Sequence, residues 1–176
     1  MKNKEINLDV GAGSGKSFLR KAKENPDQYF IAVEPSMERG SSSKISPSNM
    51  LWIKGKASCE ESLPIKNASV SEVNMDFVLV FLYGAEEVKD FHEEALGMIQ
   101  EGLRVLKPGG SLLIREPEYI LRELPSIMSK ARVDFSLDLI PQEETEGHSA
   151  SAREFAQEAK FGEEEFRPWL ITIIKK

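Results

Sequence analysis

The sequence predicts an α/β fold: doubly wound, with a mostly parallel seven-stranded sheet, helices on both faces and an antiparallel last strand. Three observations carry that prediction. Residues 6–18, I-N-L-D-V-G-A-G-S-G-K-S-F, pass from a short apolar strand through three glycines into a helix. Downstream, apolar runs of strand length alternate with stretches of helical periodicity, the pattern of βαβ units. The chain then closes on an apolar run at 166–174, preceded by an alternating segment at 132–139, which reads as antiparallel closure.

Length and charge bound the rest. A chain of 176 residues makes one domain, residues 1–176, able to bury one substantial core. The formal net charge of -6 argues against a broad nucleic-acid surface but leaves room for a local Lys/Arg cluster. A single cysteine, Cys59, rules out an internal disulfide and suits a reducing compartment. The opening M-K-N-K-E-I has no secretory apolar segment, and the longest apolar run, 77–83, is too short to cross a bilayer. The expected location is the cytoplasm, with no membrane partner.

The glycine loop after the first strand admits three readings. A P-loop needs four residues between its first glycine and the Gly-Lys-Ser ending; Gly11 is followed by three before Gly15-Lys16-Ser17. A dinucleotide fingerprint needs its third glycine where Lys16 stands. The spacing present is D-x-G-x-G-x-G, from Asp9 through Gly11, Ala12 and Gly13 to Gly15. It suits a ligand that approaches bare backbone without an anion cradle.

The elements follow in order. Residues 6–10 form strand one, and a helix over 15–25 carries Phe18, Leu19 and Ala22 on one face, stopped by Asn25-Pro26-Asp27. Strand two, 29–33, ends in Glu34-Pro35, about twenty residues past the glycines, where this kind of fold holds ribose hydroxyls. Residues 40–49 are a serine-rich loop, and 51–53 are strand three. A loop over 54–64 follows, and then strand four within 70–82, its run F-V-L-V-F-L typical of a central parallel strand. The strand ends at Tyr83-Gly84. Helix 86–106 has apolar positions at Val88, Phe91, Ala95, Ile99, Leu103 and Leu106. Its His92 has no visible sequence partner and reads as a surface or packing residue, as does His148 in the acidic loop 142–151. Lys107-Pro-Gly-Gly110 turns into strand five, 111–115. A helix over 120–130, interrupted at Pro125, leads to the strand-like 132–139; a helix at 151–160 precedes the final strand.

Four signals fall in the right order to resemble the class I S-adenosylmethionine-dependent methyltransferases: L-D-V-G-A-G-S-G, the strand-tip Glu34, Leu63-Pro64 and L-K-P-G-G. The segment N-P-D-x-x-F-I-A-V-E-P-S at 25–36 is similar to one in tRNA guanine methyltransferases and in rRNA methyltransferases of aminoglycoside resistance. The Asn/Asp-Pro-Pro-Tyr signature of exocyclic-amine methyltransferases is absent.

The resemblance implies S-adenosyl-L-methionine as cofactor and S-adenosyl-L-homocysteine as product. Asp9 and the Gly11, Ala12, Gly13 and Gly15 backbone would hold the methionine end, and Glu34 with Pro35 the ribose. Ala57, Ser58, Glu60 and Glu61 would meet adenine, with Cys59 an inert neighbour. Phe81 would contact the sulfonium or pack in the core, and Tyr83, Glu116 and Tyr119 are the candidates facing the acceptor. Displacement at the methyl group needs positioning and exclusion of water, with a general base only if the acceptor must first lose a proton. No residue is assigned that role. The acceptor is a small molecule or RNA, a protein partner or homo-oligomer is open, and no metal is implied. A non-catalytic subunit of the same fold and a nucleotide hydrolase using Lys16 are the alternatives.

Overall fold

The computed structural model describes residues 4–35, 46–58, 61–83, 90–139 and 168–176. Strand β1 (Ile6–Val10) runs into the glycine loop and helix α1 (Lys16–Glu24). Strands β2 (Tyr29–Glu34), β3 (Met50–Lys54) and β4 (Val70–Asp76) follow. Helices α2 (Val78–Tyr83) and α3 (Phe91–Val105) precede the long strand β5 (Leu106–Pro117). Helices α4 (Glu118–Leu121) and α5 (Leu124–Ala131) then lead to β6 (Ser136–Leu139) and β7 (Pro168–Ile174).

The strands form one mixed sheet in the order β3-β2-β1-β4-β5-β7-β6. β3, β2, β1, β4 and β5 are parallel, whereas β7 is antiparallel to both β5 and β6. The chain winds outward from β1 in one direction to β3 and in the other to β5. The glycine loop leaves the carboxyl end of β1 at this reversal, the place where open α/β sheets generally bind ligands.

Side-chain alternation sorts the central strands. Leu8, Val10, Val33, Val73, Met75, Leu112 and Ile114 enter the main core with Ala95, Ile99 and Val105 of α3 and Ile127 of α5. Phe18 and Ala22 of α1 pack on Phe30 in a separate cluster, the two phenyl rings meeting edge to face at 5.3 Å. Asn7, Asp9, Asn74 and Asp76 occupy the alternate positions of β1 and β4.

The structure corrects several element assignments. Strand four ends at Asp76, and the apolar residues after it form helix α2. Phe77 breaks the strand with a left-handed φ of 57°, and the Glu116 carboxylate accepts the amides of Leu79 at 2.7 Å and Val80 at 3.1 Å. Leu79 and Val80 are fully buried, so the hydrophobicity that suggested a central strand serves a buried helix instead. Strand five is longer than expected because Lys107-Pro-Gly-Gly110 joins it as a bulge, between the pairs Val70↔Leu106 and Glu72↔Ser111. The helix expected from 86 begins at Phe91, where Asp90 caps it by accepting the Glu93 amide at 3.1 Å. It ends one residue early, since Leu106 opens β5. The 120–130 helix is two pieces, with Pro125 in the first turn of α5, where its missing amide costs nothing. The strand expected from 132 starts at Ser136. The helix expected at 151–160, the 142–151 loop with His148, most of the 40–49 loop and Cys59 lie outside the described residues.

Among the described residues no helix is long and apolar enough to cross a membrane.

Candidate functional site

The parallel strands deliver their last residues to one edge of the sheet: Val10 of β1, Glu34 of β2, Asp76 of β4 and Pro117 of β5. The glycine loop crosses this edge, and its own backbone decides what it can receive. The amides of Gly11 and Ala12 both donate to the Val33 carbonyl, at 2.9 and 3.0 Å, and Gly15 donates to Ala12 at 2.8 Å. The Gly13 amide donates to Oε2 of Glu34 at 2.8 Å. These four donors are engaged inside the protein, and the last of them by a carboxylate. An anion cradle requires free amides and no neighbouring negative charge. These four amides are not available to a phosphate, which weighs against reading Gly15-Lys16-Ser17 as a P-loop.

Close packing fixes two of the glycines. A Cβ on Gly15 would stand 2.1 Å from the Trp52 ring, and one on Gly11 would stand 2.6 Å from Cγ2 of Val78. Gly13, with φ of 54°, has nothing within 4 Å of the corresponding position. Gly13 thus faces open space beside the buried Glu34 carboxylate.

Asp9 lies on β1 just before the loop and is 8% exposed. Burial raises its pKa well above the ordinary carboxylate range; Asp76 raises it further, against a lowering by Lys21 and Arg115. Its carboxylate accepts no hydrogen bond among the described residues. Asp76 instead holds Arg115 at 2.6 Å. A buried, under-coordinated carboxyl is stabilised by a cation brought to it.

No family profile and no curated protein sequence matches the chain. Solved structures do. The 16S rRNA methyltransferase KamB superposes with a TM-score of 0.69 at 18% identity, covering 99% of this chain and 90% of its own. The W203A mutant of the 16S rRNA (adenine(1408)-N(1))-methyltransferase from Catenulisporales acidiphilia, with cosubstrate SAM, gives 0.66 at 16%, covering 97% and 85%. Haemonchus contortus phosphoethanolamine N-methyltransferase 2, with S-adenosylhomocysteine, gives 0.65 at 17%; 99% of this chain matches 49% of that one.

The fold is that of the class I methyltransferases.

Within this methyltransferase fold, the structure brings Asp9, Gly11, Ala12, Gly13, Gly15 and Glu34 together at the carboxyl ends of β1 and β2, with Pro35 exposed after Glu34. Ala57 and Ser58 are buried, and Ser58 closes a turn in which its hydroxyl accepts the Glu61 amide at 3.0 Å. Glu61 is exposed, and Glu60 is outside the described residues. Phe81 belongs to α2 rather than to a strand tip, and its side chain is not among those described.

The acceptor-side candidates divide. Tyr83 ends α2, is 49% exposed, and packs against Phe91 at 5.1 Å and Tyr119 at 6.2 Å between ring centroids. Burial raises the pKa of the Tyr119 phenol, with smaller contributions from Glu116 and Tyr83. Glu116 is fully buried beneath α2. Desolvation drives its pKa well up, and the amides of Leu79, Val80 and Val78 only partly oppose this. Its carboxylate accepts the amides of Leu79 and Val80 and so holds the start of α2.

Sequence reasoning missed three contributors. His92 has a partner: Nε2 lies 2.7 Å from Oε2 of Glu123, thirty-one residues away, beside the Tyr83–Phe91 pair. Trp52 backs Gly15, a contact that pattern alone cannot reveal. Glu101 and Arg104 on α3 bind the loop after β3. Their i,i+3 spacing and the loop were visible in the sequence, but the bonds between them were not.

Proposed function

We propose that the protein is an S-adenosylmethionine-dependent methyltransferase that acts on a small-molecule or RNA acceptor and releases S-adenosyl-L-homocysteine. The carrying observation is the 2.8 Å bond from the Gly13 amide to Glu34, which sets an acidic strand tip and an open glycine on the same crevice. The donor set fits the cofactor. Asp9 supplies a buried carboxyl for its ammonium, Glu34 and Pro35 would border its ribose, and Ala57, Ser58 and Glu61 would border adenine. A loop with the amides of Gly11, Ala12, Gly13 and Gly15 already engaged suits a ligand without phosphates.

When bound, the cofactor supplies a methyl group on a positively charged sulfur. The chain's own residues bind and orient. Asp9 and the loop backbone fix the methionine end, and Glu34 fixes the ribose. Glu116 holds α2 so that Tyr83 stands at the rim with Tyr119. No side chain is assigned as a general base.

Both acceptor classes have support, since KamB acts on 16S rRNA and the Haemonchus contortus enzyme on a small amine. A further neighbour comes from the complex of the Haloferax volcanii Trm112 methyltransferase activator with a methyltransferase, at 16% identity and a TM-score of 0.62. It supports a protein partner for this chain too. The doubly wound, seven-stranded layout and cytoplasmic location belong to the same reading.

Isothermal titration with S-adenosylhomocysteine tests it. Binding by the intact protein, weakened in Glu34→Ala, is expected. No binding would overturn the reading in favour of a non-catalytic subunit, and magnesium-dependent ATP turnover lost in Lys16→Ala would favour a hydrolase.

A further inference from the structure

We propose that Glu101 and Arg104 are positioning residues for the nucleoside end of the ligand: a clamp on the last turn of α3 that holds the loop after β3 in its receiving shape. The proposal rests on the reading of the crevice as a site for S-adenosylmethionine.

The loop has no ladder of its own, so its backbone groups must find partners elsewhere. Between Leu63 and Ser69 they find them on α3. The Leu63 amide donates to Oε1 of Glu101 at 2.6 Å, and its carbonyl accepts from Arg104 at 3.0 Å. Arg104 also reaches the Ile65 carbonyl at 2.9 Å and Oδ1 of Asn67. Its remaining donors go to Glu101, Nε to Oε2 at 2.7 Å and a terminal nitrogen to Oε1 at 2.6 Å. All five N–H groups of the guanidinium are thus used in one planar fork, which an ammonium cannot reproduce. The amides of Ala68 and Ser69 complete the docking on the carbonyls of Arg104 and Val105, at 3.1 and 2.8 Å.

The other end of the loop is anchored to the crevice, through the Gly55 amide on the Glu34 carbonyl at 3.3 Å. The segment with Ala57, Ser58 and Glu61 is therefore suspended between the ribose-side acid and the clamp. Glu101 is 7% exposed, and its pKa is lowered chiefly by its hydrogen bonds with Arg104, so it remains an acceptor across the working pH range. Loosening the clamp frees the loop without touching Asp9 or Gly13.

The test uses two probes: S-adenosylhomocysteine and 5′-methylthioadenosine, which carries the nucleoside without the amino acid. Arg104→Lys and Glu101→Gln are titrated well below their melting temperatures, with circular dichroism confirming the fold. Both probes are expected to lose affinity by the same factor, about tenfold, whereas Asp9→Asn weakens S-adenosylhomocysteine alone. Asn67→Ala removes one exposed contact and gives a smaller loss of the same kind if the other variants fold poorly. A folded Arg104→Lys protein with unchanged affinity for both probes overturns the proposal and shows a purely structural staple. Failure of the wild type to bind either probe instead removes the reading of the crevice itself.

Discussion

The carboxylate of Glu34 accepts the Gly13 amide at 2.8 Å across twenty-one residues of sequence. The contact joins the tips of neighbouring strands and holds a glycine at positive φ facing open space. Replacing Glu34 with Gln keeps the size but weakens a charge-assisted acceptor. Glu34→Ala is expected to reduce S-adenosylhomocysteine affinity about tenfold or more, and Glu34→Gln by less. Titration calorimetry on the two folded variants measures both.

The glycines should separate stability from binding. Gly15→Ala drives a methyl into the Trp52 ring and Gly11→Ala into Val78, so both lower the melting temperature. Gly13→Ala meets nothing in the free protein and costs about 1–2 kcal/mol for its left-handed backbone. It should nevertheless abolish measurable S-adenosylhomocysteine binding, because the added methyl enters the receiving space. Thermal melts paired with titration show the split.

Asp9 gives binding a pH dependence. Burial makes the free protein keep a proton there to higher pH than an ordinary carboxyl does, and a bound ammonium favours the loss of that proton. Affinity for S-adenosylhomocysteine should rise with pH through the folded pKa of Asp9, and binding should release a proton. Titration in buffers of different ionisation enthalpy counts that proton. Asp9→Asn should flatten the profile.

Glu116 gives stability a pH dependence of the opposite sign. The folded carboxyl keeps its proton to higher pH than the unfolded chain does. Its contribution is complete below the ordinary carboxylate range and is lost as pH rises through the folded pKa. Glu116→Gln removes this slope. The amide nitrogen it introduces confronts one of the Leu79 or Val80 donors, for a loss of about 1–3 kcal/mol. Denaturant unfolding from pH 5 to 9 reads both effects.

Much of the frame was legible from local order. Strand β1 occupies Ile6–Val10 as its alternation indicated, and Glu34 ends β2 as its spacing from the glycines indicated. These features rest on neighbours within one strand or loop, so residue periodicity carries them. The apolar residues following Asp76 did not declare themselves. A buried run of that length serves a strand or a helix equally well, and a buried carboxylate thirty-six or more residues further on settled it as α2.

The sequence by itself determined the α/β order of elements, the glycine loop and the acid that answers it. Only the tertiary structure decided that Glu116 accepts the amides that open α2, that His92 pairs with Glu123, and that Arg104 bonds to the loop after β3. Local pattern encodes which face of an element is buried. It does not encode which distant backbone groups a buried charge will satisfy, because that depends on how the layers close.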